Sequence, residues 1–216
     1  TGVQTCALPI SYPLDDILMS GFALFSLKHP SLLDFEQQSV CERKNLHQVF
    51  GIERLCTDAQ MRNILDQVDP QRLWPLFPQQ FDLLEQLGII GEYQYWNGHI
   101  LLSVDGVEHF RSGKVHCPHC LTRQHRNGST TYSHSMLCAV MVHPDKSEVF
   151  VAGAEPITKQ DGHKKNDCEL NASTRWLDRL CEQYADRKII VVEDALFANA
   201  PHIRRILKED WHFIIG

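Results

Sequence analysis

The sequence has no apolar run long enough to cross a membrane. Its best candidate, Ile17 to Leu27, is about half of the roughly 20 residues that a spanning helix needs. Asp15 and Asp16 precede it, so the positive flank of a signal peptide is missing as well. Eight cysteines in 216 residues are too few for a disulfide scaffold. Several lie in apolar runs, such as Cys138 in Met136-Leu-Cys-Ala-Val-Met-Val142, where a free buried thiol is usual. A reducing, cytoplasmic setting is expected. The positive charge of most nucleic-acid-binding domains is also lacking, the formal charge being −6 at pH 7. No internal repeat and no low-complexity tract is found. What is present, 43% hydrophobic and 22% charged residues, suits an ordinary globular protein with material for a real core.

The first ten residues, Thr1-Gly-Val-Gln-Thr-Cys-Ala-Leu-Pro-Ile10, fit no structural pattern. They can be encoded by a string that looks like a sequencing-library adapter, so residues 1–10 are set aside from the fold. At the other end, Trp211 to Gly216 reads as a buried strand cut off within its domain. Between these, residues 11–95 read as a helical N-terminal region. Leu14 to Lys28 is apolar on most faces and stops at His29-Pro30. Ser31 can cap a second helix running to about Arg43. Thr57-Asp-Ala-Gln60 is a capping box, followed by Met61, Ile64, Leu65 and Val68 on one helical face. A short helix from Phe81 to Leu87 closes at Gly88.

After Gly91 the period changes. His99 to Val104 reads as a short strand ending at Asp105-Gly106. Ser135 to His143 and Glu148 to Ala154 are two more strands, joined by the turn composition of Pro144-Asp-Lys-Ser147. A polar loop from Thr158 to Lys165 precedes a helix from about Asp167 to Tyr184, with Leu170, Trp176, Leu177, Leu180 and Cys181 facing the core. Lys188 to Val192 is a β-branched run of the kind buried on both faces, ending at Glu193-Asp194. Ala200 to Leu207 is a helix with Pro201 in its first turn, and Phe213 to Ile215 begins another strand. The class is α/β: a helical region, then β-β-β-α-β-α-β over residues 96–216 with a Cys/His-containing loop at 111–134. That order resembles an incomplete ribonuclease H-like mixed sheet.

Asp105 ends the first of these strands and Asp194 the fourth. In a sheet of this order the two strands are neighbours. Carboxylates brought together there can bind two divalent ions about 4 Å apart for an in-line displacement at phosphorus. Oxygen-only ligands suit Mg²⁺ or Mn²⁺. Taken singly, Asp105-Gly106 is also a good hairpin turn and Asp194 also a good helix cap.

Ser103-Val-Asp-Gly-Val-Glu-His109 resembles the first catalytic block of insertion-sequence transposases of the DDE class, and Val191-Val-Glu-Asp-Ala-Leu-Phe-Ala198 resembles their second. The two aspartates lie 89 positions apart, a separation similar to the family's. Lys165-Asn-Asp-Cys-Glu169 with Asn171-Ala172 resembles the start of the helix between the blocks, and Thr57 to Pro70 the helical region upstream. The similarity covers about Leu18 to Gly216. It implies a bacterial enzyme that cleaves and joins DNA at the terminal inverted repeats of its own element, and at target DNA, as a homodimer. It implies that Asp105 and Asp194 are catalytic and hold Mg²⁺ or Mn²⁺. The third carboxylate, a Glu on a later helix, is expected beyond Ile215, so this chain alone is expected to be inactive. Glu108, Glu169 and Glu193 are not nominated for that role. Glu193 points opposite to Asp194 on an extended backbone.

His116-Cys-Pro-His-Cys120 has the Cys-x-x-Cys spacing that places two thiolates on one ion. The expected ligands of a structural Zn²⁺ are Cys117, Cys120, His125 and His134, with His163 and Cys168 further along. A polar loop with reduced thiols competes with this reading. Lys114, Arg123 and Arg126 in the same loop, and Arg204 and Arg205 later, are candidate phosphate contacts or solvated surface charges. Two other functions stay open: a ribonuclease H-like nuclease or resolvase that cuts without joining, and a non-catalytic zinc-dependent DNA-binding module.

Overall fold

A computed structural model describes residues 12–159 and 169–216. The polar loop after Lys159, His163, Cys168 and residues 1–11 lie outside the described residues. The chain divides into two compact units after Arg72.

The first unit contains helices α1 (Leu14–Ser26), α2 (Leu32–Phe50) and α3 (Asp58–Leu65). Ile17, Ala23, Leu24, Phe35, Leu46, Ile52 and Met61 form its core. The Ser31 hydroxyl caps α2 by accepting the Asp34 N–H. Helix α2 runs seven residues beyond the expected Arg43, because nothing breaks it before Gly51, whose φ of 69° ends it in the left-handed conformation. Both bonds of the Thr57/Gln60 capping box form. Asp16 is only 5% exposed, and its carboxylate accepts the Glu53 and Arg54 N–H groups at 2.9 and 3.0 Å. A buried charge thereby secures the segment that follows α2.

The second unit begins with α4 (Leu76–Gln86) and α5 (Ile89–Glu92). Trp74, Phe81, Leu84 and Ile90 pack into the same core as the sheet, so these helices go with the sheet and not with the N-terminal helices. Strand β1 (Gln94–Trp96) turns through Asn97 and Gly98, at φ 49° and 78°, into β2 (His99–Ser112). Both turn residues are left-handed, as a type I′ hairpin requires. Strand β2 continues well past Asp105-Gly106. The expected strand end there is corrected, because β4 (Thr130–Val142) runs antiparallel beside it from Leu101↔Val142 to Ser112↔Tyr132. Beyond Glu108 the two strands form an arm, with a bulge at His109. A short strand β3 (Leu121–Gln124) pairs with the outer part of β4, and β5 (Phe150–Ile157) with the inner part.

Helix α6 (Glu169–Tyr184) leads to β6 (Ile189–Glu193), parallel to β2, and α7 (Ala200–Lys208) leads to β7 (His212–Ile215), parallel to β6. Across the sheet the order is β5-β4-β2-β6-β7. Three antiparallel strands followed by two parallel ones reached through helices is the ribonuclease H-like arrangement, here within a mixed α/β chain. Trp176, Leu177, Leu180 and Tyr184 of α6 pack with Leu102, Val104, Leu137, Met141 and Val191 of the sheet. Trp74 and Trp176 close over Gly153, where a Cβ would come within 2.9 Å of Trp74. Among the described residues, no helix is long and apolar enough to cross a membrane.

Leu102 is 1% exposed at the centre of this core. Leu102→Ala is expected to destabilise the sheet unit by about 2–5 kcal/mol, read by urea denaturation. A loss well under 1 kcal/mol would mean that the centre of the core lies elsewhere.

Candidate active site on two adjacent parallel strands

Strands β2 and β6 are adjacent and parallel, with Ser103 paired to Val192. Asp105 and Asp194 each follow that pair by two residues, so they lie at one level of the sheet. Alternation along an extended chain directs Leu102, Val104 and Val191 to the face covered by α6 and gives Asp105 the opposite direction. Both aspartates are exposed. One oxygen of Asp105 accepts the Gly106 N–H at 2.7 Å. One oxygen of Asp194 accepts the Leu196 N–H at 2.9 Å and caps a short 3₁₀ turn, Ala195–Phe197. Asp194 is thus a cap, as its sequence context also allowed. Asp105 is not a turn residue, since its pairing with Cys138 continues the strand.

Glu169, not nominated from the sequence, lies close enough to feel both aspartates. Glu169 opens α6, and a Cβ built on Gly106 would meet its Oε1 at 2.5 Å. The carboxylate therefore rests against the backbone of Gly106, in the space that a Cβ there would take. Burial first, then the charges of Asp194 and Asp105, push the Glu169 carboxyl above the usual carboxylate range. The available signal was the glycine directly after Asp105, because a glycine inside a strand often marks a close approach. The other two acidic side chains are engaged elsewhere. Glu193 is buried and pairs with His202 Nε2 at 2.7 Å, and Glu108 pairs with Arg111 at 2.6 Å.

In the arm, Cys117 Sγ, Cys120 Sγ and His134 Nε2 come together. His125 does not join them, which corrects the expected set. It sits in the turn that closes β3 onto β4, with its Nε2 2.6 Å from Thr131 Oγ1. Arg111, Lys114, Arg123 and Arg126 are exposed on this arm, where Glu108 is the one acidic residue between 107 and 134. Arg205 is held by Asp178 at 3.0 Å and by Glu209.

No model of a known protein family matches the chain, and no curated protein matches its sequence. Among solved structures the chain is similar to a piggyBac transposase in a synaptic complex with hairpin DNA, at 13% identity and a TM-score of 0.42, over 93% of this chain and 41% of that one. It is also similar to a pre-cleavage Mos1 transpososome, at 11% identity and a TM-score of 0.27, over 94% of this chain and 60% of that one. The chain thus spans less than two thirds of either. The ribonuclease H-like assignment rests on strand order and register, not on these similarities.

Glu169 holds its proton more tightly folded than unfolded, and this has a defined sign. Its protonation stabilises the fold at low pH, and that contribution is lost as pH rises from the ordinary carboxylate value through the raised one. In metal-free buffer, stability is expected to fall across that window and Glu169→Gln to flatten the dependence. Superimposable thermal-melt profiles of parent and variant would remove the coupling.

Proposed function

We propose that this chain carries the catalytic core of a DDE-class transposase, which cuts DNA at the ends of its own element and joins it to a target. The supporting observation is the placement of Asp105 and Asp194 at one level of two adjacent parallel strands, each within a sequence block that resembles that class. A pair of bound Mg²⁺ or Mn²⁺ ions would supply Lewis-acid stabilisation of the attacking and leaving oxygens. Asp105 and Asp194 fit such ions as hard oxygen donors exposed beside each other's strand. Glu169 lies near enough to feel both charges, so a cation at the aspartates would relieve part of that repulsion. The partners in this reading are DNA and, in the assembled complex, a second copy of the protein. The cationic arm offers phosphate contacts that the net charge of −6 conceals.

One observation favours a second reading. Glu169 lies near enough to feel the charges of Asp194 and Asp105, and an acidic group there without a downstream Glu suits a ribonuclease H-like nuclease that hydrolyses DNA without joining it. The test is cleavage and strand transfer on element-end DNA with Mg²⁺ or Mn²⁺, by this chain alone and by a protein that includes the downstream Glu the resemblance implies. Asp105→Ala and Asp194→Ala are each expected to reduce cleavage by more than about a hundredfold while leaving DNA binding intact. Cleavage without joining selects the nuclease, and undiminished cleavage by either variant defeats both readings.

Arg123→Ala combined with Arg126→Ala is expected to weaken DNA binding evenly across sequences. The slope of log K against log salt should fall by about 1 for each phosphate that is no longer neutralised. An unchanged slope would place the DNA elsewhere.

A further inference from the structure

We propose that Cys117, Cys120 and His134 supply three donors of a zinc site, and that the bound ion clasps the Cys loop to β4 in the arm. Cys117 and Cys120 sit on the loop leading into β3, and His134 is on β4 opposite Phe110. The sulfurs are 3.8 Å apart, and each lies 3.3 Å from His134 Nε2. A tetrahedral zinc with Zn–S of about 2.3 Å and Zn–N of about 2.0–2.1 Å sets edges of about 3.8 Å between sulfurs and about 3.5 Å from sulfur to nitrogen. The observed triangle fits that polyhedron closely. It does not fit a disulfide, whose sulfurs lie about 2.05 Å apart.

Two further features suit thiolate ligands. The Cys117 N–H points at Cys120 Sγ at 3.3 Å, a donor that favours negative charge on that sulfur. The Cys120 N–H bonds back to the Cys117 carbonyl at 3.2 Å, closing the tight turn that brings both sulfurs to one side. Binding displaces one proton from each thiol, so Zn²⁺ with two thiolates and a neutral imidazole carries no net charge. Cys120 is 1% exposed, and such a neutral centre is tolerated there where an unpaired thiolate is not.

The clasp has mechanical consequences. Strand β3 pairs with residues 130–133, immediately before His134, and Leu121 packs onto the main core. The ion would tie the Cys loop to β4 across this short strand, and so fix Arg123 within β3 and the turn that carries Arg126.

The experiment uses the whole chain purified under reducing conditions. Zinc content by mass spectrometry should be one ion per chain, and cobalt exchange should give the visible bands of tetrahedral thiolate coordination. Cys117→Ser, Cys120→Ser and His134→Gln should each lose the stoichiometric ion. His125→Gln and Asp105→Ala should keep it, which separates this centre from the carboxylates. To guard against a ligand variant that fails to fold, the parent is also stripped with a chelator and reloaded. Trypsin should then cut at Arg123 and Arg126 about tenfold faster without zinc, reversibly. Zinc-free reduced protein that gains no ion on reloading, cobalt spectra without thiolate bands, or loss of the ion in His125→Gln would overturn the proposal.

Discussion

The pairing of β2 with β4 is the constraint on which the second unit depends. Eleven residue pairs join these strands between Leu101 and Ser112. Their inner halves carry Leu102, Val104, Leu137, Ala139 and Met141 into the core beneath α6. Farther out the same ladder leaves the core and becomes the arm, where few side chains are buried and main-chain hydrogen bonds carry most of the order. Asp105 lies where one regime gives way to the other. It is held by strands stiffened on one side by packing, yet its side chain reaches solvent.

Charge is divided in keeping with this geometry. Near the carboxyl end of β6, burial and then the charges of Asp194 and Asp105 push the Glu169 carboxyl upward. Along the arm the balance reverses to four cationic side chains against Glu108. Net charge alone excludes too much here, because it averages a cation-seeking end with an anion-seeking extension. Elsewhere acidic groups serve stability. Glu155 is buried under Arg175 and Arg179, and Glu193 under His202.

What the sequence revealed follows from the range of the forces involved. The Thr57/Gln60 box, the β-branched run of β6 and the Asp194 cap are local, and composition discloses each of them. The order of strands was legible because apolar periodicity records which segments reach the core. The outer half of β2 left no such record, since Glu108, His109, Arg111 and their neighbours face solvent and need no apolar alternation. The hairpin strand β1 went unread, because its three residues are all exposed and carry no pattern. Strand pairing, which no local window contains, keeps His134 beside the thiols and carries His125 to the turn instead. The approach of Glu169 to Gly106 is likewise set by where a helix lands on a sheet.

The bulge at His109 determines how the two ends of the arm face each other. It inserts one residue into β2 and none into β4, so Phe110, five residues beyond Asp105, pairs with His134, four residues before Cys138 and on the same side of β4. Four residues of strand separate those positions, about 13 Å of rise. A rigid ladder, not a hinge, sets that interval, so the arm works as a ruler: the Cys/His cluster stands at a constant offset from Asp105, and lengthening both strands of the ladder together would move it without disturbing the core.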